Sequence, residues 1–118
     1  MAGQVFAHTP GNDGNWHLLA DHLTGTAERA ARFAGAFNAE ELGRAAGWLH
    51  DAGKCSETFS AYLAAAAKAP GVAKRIFPAR DHKRPGAVRA AELDPVIAGP
   101  LLATTILGHH GGMHDCAD

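Results

Sequence analysis

Small apolar residues recur at helical spacing along this chain, and this recurrence limits what it can fold into. Between Trp16 and Phe37 the spacings are three and four, at Leu19, Leu23, Ala27, Ala30, Ala34 and Phe37. That period places them on one face of a helix, which we expect to begin at Trp16 with Asn15 as its N-cap. Apolar residues make up 47% of the chain and aromatic residues 7%. Such an alanine-rich composition favours helices over sheets, so the pattern predicts an all-α fold.

Turn-forming residues divide the first half of the chain. Residues 1–15 are dense in proline, glycine and asparagine towards their end and predict a loop. A second helix is expected over residues 39–51, with a core face made of Leu42, Ala45, Ala46 and Leu49. Gly53 should end this helix by relaxing the backbone after it.

The second half predicts shorter helices. Ser56 should cap a third helix over residues 57–68, with core contacts from Phe59, Tyr62 and Leu63. Residues 72–84 are basic and predict an irregular segment. Residues 85–93 predict a short helix, and a last helix should reach Gly108. The sequence therefore predicts a bundle of about five helices.

Length and charge limit the classes of protein to which this chain can belong. A chain of 118 residues suits one domain with one core. The net charge is −1 with neutral histidine, so any nucleic-acid binding would depend on metal ions and local lysines. No charged region followed by an apolar stretch opens the chain, and its longest apolar run is too short to span a bilayer. Cys55 and Cys116 form no CxxC motif and are expected to be reduced. We expect a cytoplasmic protein.

Histidines are the chemically informative residues, with eight in the chain. The candidate metal ligands, in chain order, are His22, His50, Asp51, His82, His109 and His110. Imidazole suits transition metals, and a carboxylate can bridge two ions. Two ions about 3.5–4 Å apart can hold a phosphodiester between them. The hypothesis requires these side chains to converge from four separated segments.

The expected arrangement centres on Asp51. It would bridge the two ions, with His50 on one of them and His82, His109 and His110 on the other. Gly111-Gly112 would free the backbone so that both preceding histidines face one ion. Lys54 would place an ammonium group beside the substrate phosphate.

The motifs and their order resemble a known family. The run Leu49-His50-Asp51-Ala52-Gly53-Lys54 is similar to the signature of HD-superfamily metal-dependent phosphohydrolases. Three further segments narrow the resemblance to the HD nuclease of type I CRISPR interference. They are Phe6-Ala7-His8-Thr9 with Trp16 to Leu23, Asp81-His82 with Gly86-Ala87, and Ile106 to Asp115 with its Gly-His-His-Gly-Gly block. The match spans nearly all 118 residues in the family's order.

This resemblance implies an HD-domain helical bundle that cleaves single-stranded DNA with two divalent transition-metal ions, such as Mn, Ni, Co, Fe or Zn. It implies a CRISPR helicase, fused or separate, and the crRNA-guided surveillance complex as partners, and no membrane. By position, the family's metal ligands correspond to His22, His50, Asp51, His82, His109 and His110. Asp51 and Lys54 would be catalytic, with Lys54 contacting the phosphate. His8 and His17 match the family's opening but fall outside this ligand set.

The chain departs from the family at its end. Family domains generally continue further and supply another metal-binding aspartate from a late helix, whereas this sequence stops at Asp118. We therefore expect a single HD domain over residues 1–118 that is a fragment or lacks the late helices. A serine is also common in the family where Lys83 stands. Two alternatives remain: an HD-type nucleotide phosphohydrolase and a truncated, non-catalytic metal-binding domain.

Overall fold

Helices dominate the computed structural model, which describes residues 3–77, 82, 84–94 and 96–111, with the backbone alone for 110 and 111. Within these residues lie one two-stranded sheet and six α-helices: β1 (Phe6–His8), β2 (His17–Leu18), α1 (Leu19–Ala34), α2 (Glu40–Leu49), α3 (Glu57–Lys68), α4 (Pro70–Ile76), α5 (Arg84–Leu93) and α6 (Ala98–Gly111). Single turns of 3-10 helix follow α1 at Gly35–Phe37 and α2 at Ala52–Cys55. The predicted all-α class is confirmed.

The first structural element is a β-hairpin, so the prediction of a loop over residues 1–15 is wrong at β1. β1 pairs with β2 in antiparallel orientation, and the Leu19 amide then donates to the Val5 carbonyl at 2.8 Å. Since Val5 and the strand residues extend the pairing up to the helix, α1 begins at Leu19 and not at Trp16.

Asn15 does not cap a helix. Its backbone amide donates to Asp13 Oδ1 at 3.0 Å, and its side-chain amide donates to Asp13 Oδ2 at 3.1 Å. Asn15 therefore closes the turn between the two strands. The residue at the N-cap position of α1 is Leu18, whose side chain makes no capping hydrogen bond.

α1 and α2 pack closely because α2 presents glycine to α1. A Cβ atom at Gly43 would lie 2.5 Å from the carbonyl oxygen of Ala30, and one at Gly47 would lie 2.6 Å from the Ala27 amide nitrogen. Such distances leave no room for a side chain. The two helix backbones therefore touch, and the C-terminal end of α2 is held beside the first turns of α1.

The apolar stripe predicted for α1 is buried in most places. Leu19, Leu23, Ala27 and Ala34 are buried, as is Ala31. Phe37 is 71% exposed, which corrects its assignment to the stripe. The reason is that α1 ends at Ala34, and Asn38 then turns the chain with a φ of 59°.

The predicted core face of α2 is confirmed. Leu42, Ala45, Ala46 and Leu49 pack against a buried cluster contributed by α5 and α6, namely Ala87, Ala90, Leu102 and Ile106. α6 is apolar around its circumference: it buries Leu102 and Ile106 and exposes Leu101 and Leu107. No α-helix in the described ranges combines the length and apolarity needed to cross a membrane.

An additional helix accounts for the difference from the expected count. Residues 72–76 belong to α4 and are not irregular. Pro70 begins this helix because a missing N–H group costs no hydrogen bond in the first turn. Residues 78–81 and 83 of the predicted irregular segment lie outside the described residues.

The predicted cap of α3 is present. Ser56 Oγ accepts a hydrogen bond from the Phe59 amide at 3.1 Å. Phe59 and Leu63 are buried below this cap, and Tyr62 is half-buried. The cap thus fixes the start of the helix that carries Phe59.

We expect Ser56→Ala to lower the free energy of unfolding by about 1 kcal/mol, because the Phe59 amide loses its acceptor. Urea denaturation followed by circular dichroism measures this. Ser56→Asp keeps an acceptor at the same place and should remain close to the wild-type midpoint. Equal midpoints for Ser56→Ala and wild type would show that the cap does not contribute.

Candidate metal centre

Three side chains meet where the start of α1 faces the end of α2. His22 lies in the first turns of α1, His50 directly follows α2, and Asp51 precedes the 3-10 turn at Ala52–Cys55. His50 and Asp51 are only 7% and 4% exposed, respectively. We call His22, His50 and Asp51 the triad. The glycine contacts between α1 and α2 are what bring its two halves together.

The ligand atoms of the triad form a compact group. His22 Nε2 lies 3.0 Å from Asp51 Oδ2 and 3.3 Å from His50 Nε2. His50 Nε2 lies 3.2 Å from the same Asp51 oxygen. Two imidazole nitrogens and one carboxylate oxygen therefore face a common point.

His50 is oriented by the backbone of its own helix. Its Nδ1 lies 2.6 Å from the Gly47 carbonyl oxygen. A carbonyl only accepts, so Nδ1 carries the donated proton and Nε2 is the nitrogen presented to the other members of the triad. Metal-binding histidines are commonly held in this way, with the second ring nitrogen donating to a carbonyl or carboxylate.

The charges around Asp51 keep it ionised. Burial alone would raise the pKa of Asp51, but the hydrogen bond from His50 and the charge of Lys54 outweigh burial and hold that pKa far below its ordinary value. Burial lowers the pKa of His22. For His50, burial is outweighed by the hydrogen bonds to Asp51 and the Gly47 carbonyl, so its pKa is raised. A metal ion at His50 Nε2 would compete with protonation of that nitrogen.

The two carboxylate oxygens of Asp51 face different partners. Oδ2 faces the two triad histidines and also the Lys54 ammonium group, at 3.1 Å. Oδ1 faces His82, whose Nε2 lies 3.6 Å away. A carboxylate with basic groups on both oxygens has the arrangement needed for a bridging ligand.

Gly53 and Phe59 position His82. A Cβ atom at Gly53 would overlap the backbone of His82, coming within 2.7 Å of its Cα. The expectation that Gly53 ends α2 is wrong, because α2 ends at Leu49 and Gly53 lies inside the 3-10 turn that follows it. The Phe59 ring packs against the His82 ring with centroids 5.0 Å apart.

His109 reaches the site from α6. Its ring lies edge-on to the ring of His50, with centroids 5.3 Å apart. The prediction that glycine frees the backbone at this point is wrong, because α6 continues through Gly111. The side chain of His110 and all of Gly112 lie outside the described residues.

An apolar cavity lies beside the triad, between α1, α2 and α6. It has a volume of about 140 Å³ and is lined by Thr26, Ala30, Ala46, Gly47, His50, Thr105, Ile106 and His109. His50 and His109 thus border both the cavity and the cluster of polar side chains. A substrate group placed in this cavity would lie next to the candidate ligands.

Three contributions to this site did not emerge from the sequence: the Gly47 carbonyl, the Phe59 ring and the ring of His17. Gly47 stands three residues before His50, which is the spacing for a side-chain bond to the preceding helical turn, so this signal was present. Phe59 was assigned to the core. His17 was placed outside the site, yet its ring lies edge-on to that of His22 with centroids 5.9 Å apart.

The triad could hold a metal ion. Its members offer one ligand atom each, and the three atoms lie within 4.8 Å of one another. Two imidazoles and a carboxylate form a donor set that suits transition metals, and the carbonyl bond of His50 supplies the supporting contact that such sites have. No protein-family model and no curated protein matches the chain.

Proposed function

We propose that this chain is a metal-dependent nuclease that hydrolyses the phosphodiester bonds of single-stranded DNA. The observation that carries the proposal is the convergence of His22, His50 and Asp51 on one point, with Lys54 and His82 against the same carboxylate. The ordered resemblance of the motifs to the HD nuclease of type I CRISPR interference supports this reaction. It also supports DNA supplied by a helicase and a crRNA-guided complex.

Two ions are proposed, one on each side of Asp51. The first would be held by the triad. The second would be held by Asp51 and His82 and, as the resemblance implies, by His109 and His110. When bound, such ions activate water and stabilise the charge that develops on the phosphate oxygens. Candidate metals are Mn, Ni, Co, Fe and Zn.

Lys54 is proposed to exchange partners when substrate arrives. Its ammonium group contacts Asp51 Oδ2 at 3.1 Å, the oxygen that also faces both triad histidines. A cation bound by the same carboxylate and this ammonium group would repel each other. The flexible lysine side chain would then turn to the substrate phosphate, which restores its charge pairing.

In this chain, attraction of DNA has to come from positive charge at the site, because the protein as a whole is not basic. The net charge of −1 gives no long-range attraction for DNA. Bound cations and Lys54 would supply the attraction at the site itself. We infer that DNA binding depends on metal, and that a partner has to deliver the strand.

The cavity next to His50 favours a second candidate, an HD-type nucleotide phosphohydrolase. Its apolar walls could receive one base while the phosphate lies against the triad. This enzyme would use the same ligands but release phosphate or pyrophosphate from a free nucleotide. Only the substrate separates the two functions.

Nicking of circular single-stranded DNA tests the proposal. We expect cleavage when Mn, Ni or Co ions are added and none in the presence of a chelator. A circular substrate reports endonuclease action directly, and a linear strand labelled at one end reports stepwise degradation. Metal content per chain, measured on the same preparation, shows whether the site is loaded.

The alternative outcomes are distinct. Phosphate release from a deoxynucleotide without DNA cleavage would assign the chain to the nucleotide phosphohydrolases. Bound metal without either activity would indicate a non-catalytic metal-binding domain. Cleavage that persists unchanged in a chelator would contradict the metal-dependent mechanism.

A further inference from the structure

Two histidines that are not members of the triad face each other across the hairpin. The Cα atoms of His8 and His17 are partners in the β1–β2 pairing, and their rings lie edge-on with centroids 5.5 Å apart. Both residues are exposed. We call His8 and His17 the hairpin pair.

An irregularity in the sheet creates this pairing. Phe6 is opposite Leu18, and regular antiparallel register would then place His8 opposite Trp16. The register shifts between Phe6 and His8, so that His17 takes the opposite position. Trp16 instead packs its ring against Phe6, with centroids 4.8 Å apart. Bulges of this kind redirect side chains and are common next to functional sites.

His8 is held in the same way as His50. Its Nδ1 lies 2.8 Å from the Thr9 carbonyl oxygen, so it donates that proton. In the neutral ring the lone pair then lies on Nε2. One ring nitrogen bonded to a carbonyl and the other presented outward is the arrangement typical of histidine ligands to metals.

The hairpin pair also adjoins the triad. The ring of His17 contacts the ring of His22, with centroids 5.9 Å apart, and His22 contacts His50 at 5.2 Å. With His8 at one end and His109 at the other, five imidazoles form a continuous row from the hairpin surface to α6.

We propose that His8 and His17 form an accessory binding site for a divalent transition-metal ion. An imidazole-only site selects borderline ions such as Ni, Cu or Zn and does not favour Mg or Ca, which prefer oxygen ligands. With two protein ligands, the remaining positions are taken by water. An ion bound there links β1 to β2 just before α1 begins. This proposal does not rest on the nuclease function.

Titration of the metal-free chain with Ni²⁺, followed by calorimetry, tests the site. We expect the doubly substituted variant His8→Gln, His17→Gln to bind one ion fewer than wild type, since glutamine keeps the polarity but is a poor ligand. His17→Gln alone should weaken that ion's affinity at least about tenfold. Excess Mg²⁺ should not compete. Both positions are exposed, and circular dichroism checks that each variant remains folded.

A second measurement separates this site from the triad. The variant His22→Gln, His50→Gln should still bind the hairpin ion, because neither residue belongs to the hairpin pair. In wild type, Zn²⁺ should shift the ring proton resonances of both His8 and His17 with saturation. The same number of Ni²⁺ ions in wild type and in the His8, His17 variant would overturn the proposal, as would unshifted ring signals.

Discussion

Asp51→Asn should lower DNA cleavage by about three orders of magnitude, which corresponds to about 4 kcal/mol of lost transition-state stabilisation. Asparagine has nearly the same shape but no negative charge, and half of its terminal group is a hydrogen-bond donor. It can neither attract a cation between His22 and His50 nor bridge towards His82. We therefore expect metal binding at the triad to be lost together with activity. Metal content and nicking of circular DNA, measured on the same preparation, test both effects.

A matched acidic residue serves as the control for Asp51. Asp21 is exposed and adjoins His22 in sequence, so Asp21→Asn makes the same chemical change beside the site but outside the contacts of the triad. It should retain wild-type cleavage. Circular dichroism of both variants shows whether the helices persist. Full activity in Asp51→Asn, or an equal loss in Asp21→Asn, would exclude Asp51 as the central ligand.

Gly47→Ala should destabilise the fold by about 3 kcal/mol, at the upper end of what an added methyl group costs in a packed interface. The new Cβ would overlap the Cα atom of Ala27 and lie 2.6 Å from its amide nitrogen. Backbone atoms cannot move aside as a flexible side chain can, so α1 and α2 would have to separate. Urea denaturation measures the loss in the free energy of unfolding.

Gly71 supplies the control for this substitution. A Cβ atom there would meet no described atom within 4 Å, and Gly71 lies in the exposed first turn of α4. Gly71→Ala should leave stability unchanged or raise it by less than about 1 kcal/mol, because alanine favours helices more than glycine does. Equal stability for both alanine variants would contradict the close contact of α1 and α2.

The same substitution connects packing to the site. His22 lies on α1 and His50 at the end of α2, so any separation of these helices increases the 3.3 Å distance between their Nε2 atoms. Gly47 also provides the carbonyl that orients His50. We therefore expect the folded fraction of Gly47→Ala to bind metal more weakly than wild type does.

Much of the helical core was predictable from local pattern. The face of α2 that contacts α5 and α6 and the Ser56 cap of α3 were both expected and are both present. The largest errors are two elements that the pattern did not predict, the hairpin and α4. The hairpin was missed because β1 has three residues and β2 has two, which is too short for an alternating pattern to show. α4 was missed because the basic residues from 72 onwards were expected to be irregular, whereas a helix begins at Pro70.

In the candidate site, too, some features were predictable from the sequence and others were not. Histidine and aspartate at a helix end indicated metal chemistry. The 3.0 Å distance between His22 Nε2 and Asp51 Oδ2 could not be predicted from the spacing of residues along the chain. That distance results from the glycine contacts between α1 and α2. The release of the backbone by glycine was predicted wrongly, because α6 continues through Gly111, and His109 lies against His50 from within that helix.

By itself, the amino-acid sequence determined the helical class, the apolar faces and the types of ligand available, because each depends on residue chemistry and local spacing. Only the tertiary structure decided which ligands meet. Convergence depends on how closely two backbones approach, and here Gly43 and Gly47 permit an approach that any side chain at those positions would prevent.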